Sequence, residues 1–108
     1  MYLGENIKKL GFGLMRLPQK EGGGIDIEQV KLMVSRFLEA GFTYFDTAWA
    51  YAGSEEAINE ALIKRYPRES FQLATKNAAW INCKTRLEAA EQLNVSLERT
   101  GAGYFDFY

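Results

Sequence analysis

The chain has 108 residues, of which 47% are hydrophobic and 25% are charged, with a formal net charge of −1. This composition is typical of one modest globular domain and gives no electrostatic reason to expect binding to nucleic acid or to a membrane surface. The single cysteine, Cys83, excludes a disulfide within the chain, and the absence of histidine argues against a metal site. We therefore expect a cytoplasmic protein that binds no metal.

The first predicted element is a short strand from Leu10 to Met15, which Pro18 ends. Its Gly11-x-Gly13 pattern lacks the third glycine and the following helix of a dinucleotide-binding fingerprint. We therefore interpret these glycines as points of close backbone approach.

Two amphipathic helices are predicted next. The first begins at Asp26, where Gln29 completes a capping box, and ends at Gly41. The second begins at Ser54 as N-cap and ends before Pro67. Apolar residues recur at helical spacing in both, at Ile27, Val30, Val34, Phe37 and Leu38 and at Ala57, Ile58, Ala61 and Leu62.

Two further strands are predicted between and after these helices. The range Phe42 to Phe45 is rich in aromatic and β-branched residues and leads directly into Asp46, and Phe71 to Lys76 forms the next strand.

A third helix begins at the Thr85-x-x-Glu88 capping box and ends at Gly101. A last strand, Tyr104 to Tyr108, follows it. Helical spacing predicts that the buried side of the third helix consists of Leu87, Ala90, Leu93 and Leu97.

The predicted order is β-α-β-α-β-α-β with a repeat of about 30 residues, which is the size of one βα unit. Such alternation predicts an α/β fold with parallel strands and right-handed crossovers. The chain can form a small open sheet or the N-terminal half of a TIM (β/α)8 barrel, whose full length is about 250 residues. In the second case residues 1–108 are a single partial domain.

Three side chains combine at the carboxyl end of this predicted sheet. Asp46 and Lys76 end neighbouring parallel strands, and Tyr51 lies in the loop after Asp46. Ligands of α/β folds bind at this end. An ammonium stabilises a nearby phenolate, so the tyrosine becomes an acid able to protonate a developing alkoxide. From spacing alone, an ion pair beside a surface tyrosine without catalytic role remains the alternative.

Five motifs in series resemble the aldo-keto reductase family over essentially the whole chain. They are Gly11-Phe-Gly-Leu-Met-Arg-Leu-Pro18, Tyr44-Phe-Asp-Thr-Ala-x-Ala-Tyr51, Ser54-Glu-Glu-Ala57, Leu73-Ala-Thr-Lys76 and Tyr104-Phe-Asp-Phe-Tyr108. The resemblance implies a (β/α)8 barrel that reduces an aldehyde or ketone to an alcohol with NADPH, possibly NADH.

The resemblance also implies roles for individual residues. The family's catalytic aspartate, tyrosine and lysine fall on Asp46, Tyr51 and Lys76. The residues near the nicotinamide fall on Gly13, Leu14, Met15 and Arg16, together with Asp46. Trp49 and Trp80 are candidates for the substrate pocket, with simple loop packing as their alternative.

Two departures from the family pattern lead to further expectations. The family's catalytic histidine is missing, and so are the second-half loops that hold the adenosine end of the cofactor. We expect an N-terminal fragment that is inactive alone, binds NADPH weakly at most and forms a homo-oligomer through its exposed sheet edges. The alternative is a non-catalytic half-barrel that self-associates or acts as a cofactor-sensing regulatory module. The first motif also resembles family members that carry an iron–sulfur extension.

Overall fold

A computed structural model describes residues 4–108 of the chain. Three parallel strands form one sheet in the order β1-β2-β3, with β1 at Gly11–Gly13, β2 at Tyr44–Asp46 and β3 at Gln72–Ala74. The helices are α1 at Ile27–Glu39, α2 at Ser54–Ile58 and α3 at Arg86–Thr100; a π-helical turn, Asn59–Ile63, extends α2, and a 3-10 turn, Arg68–Ser70, precedes β3. This open parallel sheet with crossover helices matches the N-terminal part of a TIM barrel, so the predicted fold class is confirmed.

The core lies between the sheet and the helices, and Phe45 of β2 is at its centre. The Phe45 side chain is fully buried. Its ring lies 5.7 Å from the ring of Phe12, 5.2 Å from that of Phe37 and 6.1 Å from that of Phe71. The predicted apolar faces of the first two helices pack into or against this cluster, so both face predictions are confirmed.

The opposite face of the sheet carries the polar residues. Phe45 points toward the helices. Because side chains alternate along a strand, its neighbours Tyr44 and Asp46 point to the other face of the sheet. A Cβ on Gly11 would lie 3.1 Å from the Tyr44 ring, so this glycine permits close approach of a side chain rather than of backbone. A Cβ on Gly13 would meet no atom of the described residues within 4 Å, so the close approach predicted there is wrong. The register sets Gly13 opposite Asp46 and Asp46 opposite Ala74, which aligns the carboxyl ends of all three strands.

The prediction of a strand from Tyr104 to Tyr108 is wrong, because these residues do not form a continuous strand. The segment makes one parallel bridge to the sheet, between Phe107 and Ala74. The Asp106 carboxylate accepts a hydrogen bond from the Leu73 amide at 2.8 Å and another from the Arg68 guanidinium at 2.8 Å. The Leu73 amide thus donates to a side chain, whereas in a longer strand pairing it would donate to a backbone carbonyl.

Two predictions about the helices are also wrong. Gly53, with a φ of 73°, is the N-cap of α2, while Ser54 is buried and shares a 2.6 Å hydrogen bond with Thr47. In α3, Leu87 is 79% exposed and Ala90 is exposed. The buried residues of α3 are Gln92, Ser96 and Thr100.

On the polar side of α3, Gln92 and Thr100 can be buried because their groups find partners, whereas the buried Ser96 hydroxyl has no hydrogen-bond partner among the described residues. The Gln92 amide donates to the Ala78 carbonyl at 3.1 Å and accepts from the Ala78 amide at 2.7 Å. The Thr100 hydroxyl donates to the Ser96 carbonyl at 2.8 Å. Such pairing removes most of the cost of burying polar atoms. Within residues 4–108, none of the helices has the length and apolarity needed to span a bilayer.

Candidate active site

Asp46 and Lys76 meet at the carboxyl end of the sheet, as their positions in the sequence predict. Lys76 Nζ donates to Asp46 Oδ2 at 2.7 Å and to the Thr47 carbonyl at 2.8 Å. The Asp46 side chain is 36% exposed and the Lys76 side chain is 48% exposed. The ammonium is therefore fixed by two acceptors at a place that a solute can reach.

The surroundings of Lys76 keep its side chain charged. Partial burial lowers its pKa, but the hydrogen bond and charge of Asp46 raise it, and the Tyr51 hydroxyl adds to the increase. The net direction is upward from 10.5. On the same face, Tyr44 has a raised pKa, first because of burial and then because of the Asp46 carboxylate.

Tyr51 lies over this pair on the loop between β2 and α2. Lys76 Nζ is 5.0 Å from the centre of the Tyr51 ring. The loop is folded on itself by bonds from the Tyr51 amide to the Ala48 carbonyl at 3.1 Å and from the Ser54 amide to the Tyr51 carbonyl at 3.0 Å. It is joined to the next strand segment by a bond from the Trp49 amide to the Lys76 carbonyl at 3.2 Å. The structure thus brings together all three residues of the predicted constellation.

The residues predicted to lie near a nicotinamide follow or end β1. Gly13 is opposite Asp46 in the sheet, and a Cβ there would meet no atom of the described residues within 4 Å. Met15 and Arg16 are exposed, whereas the Leu14 side chain is fully buried in the core. Leu14 as a whole is 0% exposed, and its amide donates to the Asp46 carbonyl at 2.9 Å.

The two tryptophans predicted near the substrate differ in their surroundings. Trp49 is half-buried, and the Arg99 guanidinium lies 5.1 Å from its ring centre. Trp80 is 77% exposed in the segment after β3. Trp49 therefore has packing partners, while Trp80 leaves most of its ring open to solvent.

Sequence reasoning missed a charged group behind the site. The Glu55 side chain is 1% exposed; it accepts from the Thr75 hydroxyl at 2.8 Å and from Arg99 Nη1 at 3.3 Å. The sequence contained a signal, because Glu55 lies three residues before Ile58 and seven before Leu62, on the buried side of α2. For its partner Arg99, the sequence contained no comparable signal.

The aldo/keto reductase family model matches residues 9–108. The chain belongs to the aldo/keto reductase family. The general activity of this family is the NADPH-dependent reduction of carbonyl compounds.

Individual relatives and solved structures agree with this assignment. The chain is 30% identical to the aldo-keto reductase YhdN of Bacillus subtilis over 113 residues, which cover 97% of this chain and 34% of YhdN. A thermostable aldo-keto reductase solved with the inhibitor epalrestat superposes with a TM-score of 0.77 at 26% identity, covering 97% of this chain and 39% of that one. An aldo-keto reductase from Klebsiella pneumoniae solved with NADPH gives 0.71 at 26% identity, covering 94% and 34%.

The matched relatives are much longer than the present chain. It spans between 21% and 34% of the length of five curated aldo-keto reductases that it matches. The family assignment therefore holds for residues 9–108, and activity requires a separate argument.

Proposed function

We propose that residues 1–108 supply the proton-donating part of an NADPH-dependent carbonyl reductase site, with Tyr51 as the general acid. The observation that carries this proposal is the short Lys76–Asp46 pair, 2.7 Å between Nζ and Oδ2, with the Tyr51 ring centre 5.0 Å from the same Nζ. In this proposal residues 1–108 act as one partial domain, and the rest of a barrel closes the site.

The described residues fit the nicotinamide end of the cofactor. Space is open at Gly13, next to Asp46 in the sheet, and Met15 is 59% exposed just beyond it. We propose that Gly13, Met15 and Arg16, with Asp46, contact this end, and that Trp49 and Trp80 border the substrate. Leu14, the remaining residue of the predicted set, is buried behind them. The Klebsiella pneumoniae relative solved with NADPH supports this choice of cofactor.

Each member of the trio has a defined part in the reaction. When bound, the cofactor supplies a hydride to the carbonyl carbon. Tyr51 donates its phenolic proton to the carbonyl oxygen, so that the product is a neutral alcohol. Lys76 stays charged and stabilises the phenolate that remains, while Asp46 and the Thr47 carbonyl keep the ammonium in place. Solvent then returns a proton to Tyr51.

The test replaces Tyr51 by phenylalanine in a complete barrel. Residues 1–108 take the place of the 34% of YhdN that they match and are joined to the remainder of that protein. Because the phenolic proton acts in the transition state, we expect Tyr51→Phe to lower kcat at least ~100-fold while NADPH binding stays close to wild type. The measurements are NADPH oxidation with a reactive aldehyde and NADPH fluorescence titration.

A matched control removes a hydroxyl elsewhere. Tyr104 is 49% exposed on the terminal segment, where Arg68 lies 3.8 Å from its ring centre. Tyr104→Phe keeps this contact and should leave kcat unchanged. Near-normal turnover by Tyr51→Phe would show that Tyr51 is not the acid.

We further propose that residues 1–108 by themselves bind NADPH weakly and do not turn over. Among the described residues the three-stranded sheet does not close into a barrel, so a substrate is held by one wall of the site alone. Sustained NADPH oxidation by the purified 108-residue chain would contradict this. The free thiol of Cys83 supports a reducing compartment, the cytoplasm, as its location.

The alternative function is that of a half-barrel that associates with itself. An apolar groove lies between α3 and the terminal segment, lined by Leu93, Leu97, Gly103, Tyr104, Phe105 and Tyr108. Tyr104 and Tyr108 are 49% and 56% exposed. Since a second copy offers the same apolar surface, a twofold dimer can cover both grooves.

Light scattering on the 108-residue chain at micromolar concentration tests self-association. We expect the mass of a dimer. A cooperatively folded monomer at that concentration would refute the alternative and leave the catalytic proposal untouched.

A further inference from the structure

The carboxylate of Glu55 makes contacts that its burial requires. The side chain is 1% exposed and has two partners, the Thr75 hydroxyl at 2.8 Å and Arg99 Nη1 at 3.3 Å. A carboxylate persists inside a protein when it is paired and hydrogen-bonded, because the cost of desolvating it is otherwise too high. The positions of Thr75 and Arg99 are therefore tied to that of Glu55.

Arg99, near the end of α3, extends this network to the Tyr51 loop. The same Nη1 donates to the Trp49 carbonyl at 3.1 Å, and the guanidinium lies 5.1 Å from the Trp49 ring centre. Its Nε contacts Glu56 Oε1 at 3.2 Å. Because the guanidinium is planar and forked, it can hold several acceptors in a fixed relative geometry.

We propose that Glu55 and Arg99 are positioning residues that fix the Tyr51 loop, residues 47–53, relative to Lys76. Thr75 immediately precedes Lys76, and Trp49 is two residues before Tyr51. The Glu55 carboxylate is bonded to the first of these segments directly and to the second through Arg99. The inference rests on the proposed function in one respect, namely that Tyr51 is the residue that needs to be positioned.

The Glu55–Arg99 pair is expected to hold the loop through its charges as well as through the shape of its side chains. In Glu55→Gln, the amide oxygen can still accept from Thr75, but Arg99 loses its buried anionic partner and faces an amide that can donate. Glu56, which is 54% exposed, then remains as its anionic partner. In Arg99→Lys, the positive charge remains beside Glu55, but one ammonium replaces the planar fork that reaches both Glu55 and the Trp49 carbonyl. Both variants should loosen the loop, and Arg99→Lys should do so with little loss of global stability.

Hydrogen exchange at the loop amides measures this loosening in the 108-residue chain. The Trp49 amide donates to the Lys76 carbonyl, and the Tyr51 amide donates to the Ala48 carbonyl. Since a hydrogen bond to a charged group is lost, we expect both amides to exchange about tenfold to hundredfold faster in Glu55→Gln and in Arg99→Lys. The Gln72 amide, bonded to the Thr43 carbonyl at 2.9 Å outside the loop, is the internal reference and should not change.

A second ion pair of the same kind provides the matched control. Arg68 and Asp106 are 15% and 26% exposed and lie 2.8 Å apart, and Asp106 also accepts from the Leu73 amide. Asp106→Asn should speed exchange around Leu73 and leave the Trp49 and Tyr51 amides at wild-type rates. This contrast distinguishes a specific effect on the loop from general destabilisation.

The outcomes separate the two proposals. Unchanged exchange at Trp49 and Tyr51 in Arg99→Lys, a variant that keeps the charge and should keep the fold, would overturn the positioning role whatever Tyr51 does. In the YhdN chimaera, Glu55→Gln should lower kcat about tenfold or more with the KM for NADPH unchanged. Normal turnover by Tyr51→Phe with faster loop exchange in Glu55→Gln would reject Tyr51 as the acid and retain the positioning of the loop.

Discussion

Replacing Lys76 by methionine removes an ammonium that contacts Asp46 and lies 5.0 Å from the Tyr51 ring centre. Methionine is unbranched and of similar length, so it fills the same space without the charge. The perturbation leaves the Asp46 carboxylate without the partner that is now 2.7 Å away. Both the lost cation and the uncovered anion disfavour a phenolate on Tyr51.

The size of the effect follows from the geometry. A unit charge about 5 Å from the phenol, at an effective dielectric constant of about 20, contributes about 3 kcal/mol to the phenolate. Because the Lys76 side chain is 48% exposed, solvent screening reduces this to about 1.5–2 kcal/mol. At about 1.4 kcal/mol per factor of ten, kcat should fall about 10- to 30-fold. The uncovered Asp46 charge acts in the same direction, so the loss should be at least tenfold.

The assay is steady-state NADPH oxidation in the YhdN chimaera at pH 7, with cofactor binding measured separately. Lys64→Met is the matched control, since Lys64 also pairs with a carboxylate, that of Glu60, but on the surface of the α2 extension. We expect normal kcat in the control and lower kcat, with little change in NADPH affinity, in Lys76→Met. A Lys76→Met enzyme within threefold of wild-type kcat would refute the electrostatic reasoning.

Two further predictions concern stability. The pKa of Lys76 is raised in the folded state, so its contribution to the free energy of unfolding is fully present below pH 10.5 and is lost as the pH rises through the raised pKa. In urea titrations the difference in stability between wild type and Lys76→Met should therefore shrink above about pH 10.5. A difference that stays constant with pH would contradict this. Phe45→Ala should cost about 3–5 kcal/mol, because Phe45 is fully buried among three aromatic rings; a loss below ~1 kcal/mol in chemical denaturation would show that the core repacks around the gap.

The elements that could be predicted from the sequence are those whose signal is local. The capping aspartate of α1 accepts from the Gln29 amide at 3.2 Å, and Gly101 ends α3 with a φ of 67°, as their residue types suggest. Asp46 and Lys76 could be paired because two consecutive parallel strands end at the same edge of a sheet. The apolar periodicity of α1 identified its buried face because that face meets the sheet.

Which face of α3 is buried, and which group accepts from the Leu73 amide, depend on the tertiary structure. Helical spacing placed Leu87 on a buried side of α3, but burial went to Gln92 and Thr100, whose polar groups are paired. The terminal segment has strand-like residues, yet Asp106 takes the Leu73 amide and limits pairing to a single bridge.

The same reason applies to the site. Tyr51 and its lysine follow from motif spacing, whereas the contact between Glu55 and Arg99, 44 residues apart, depends on how α2 and α3 pack together. Local sequence patterns report propensity and periodicity, and these extend over a few residues. A charge pair between distant segments forms when folding brings its two groups together and, here, excludes water from the carboxylate; that is a property of the assembled tertiary structure.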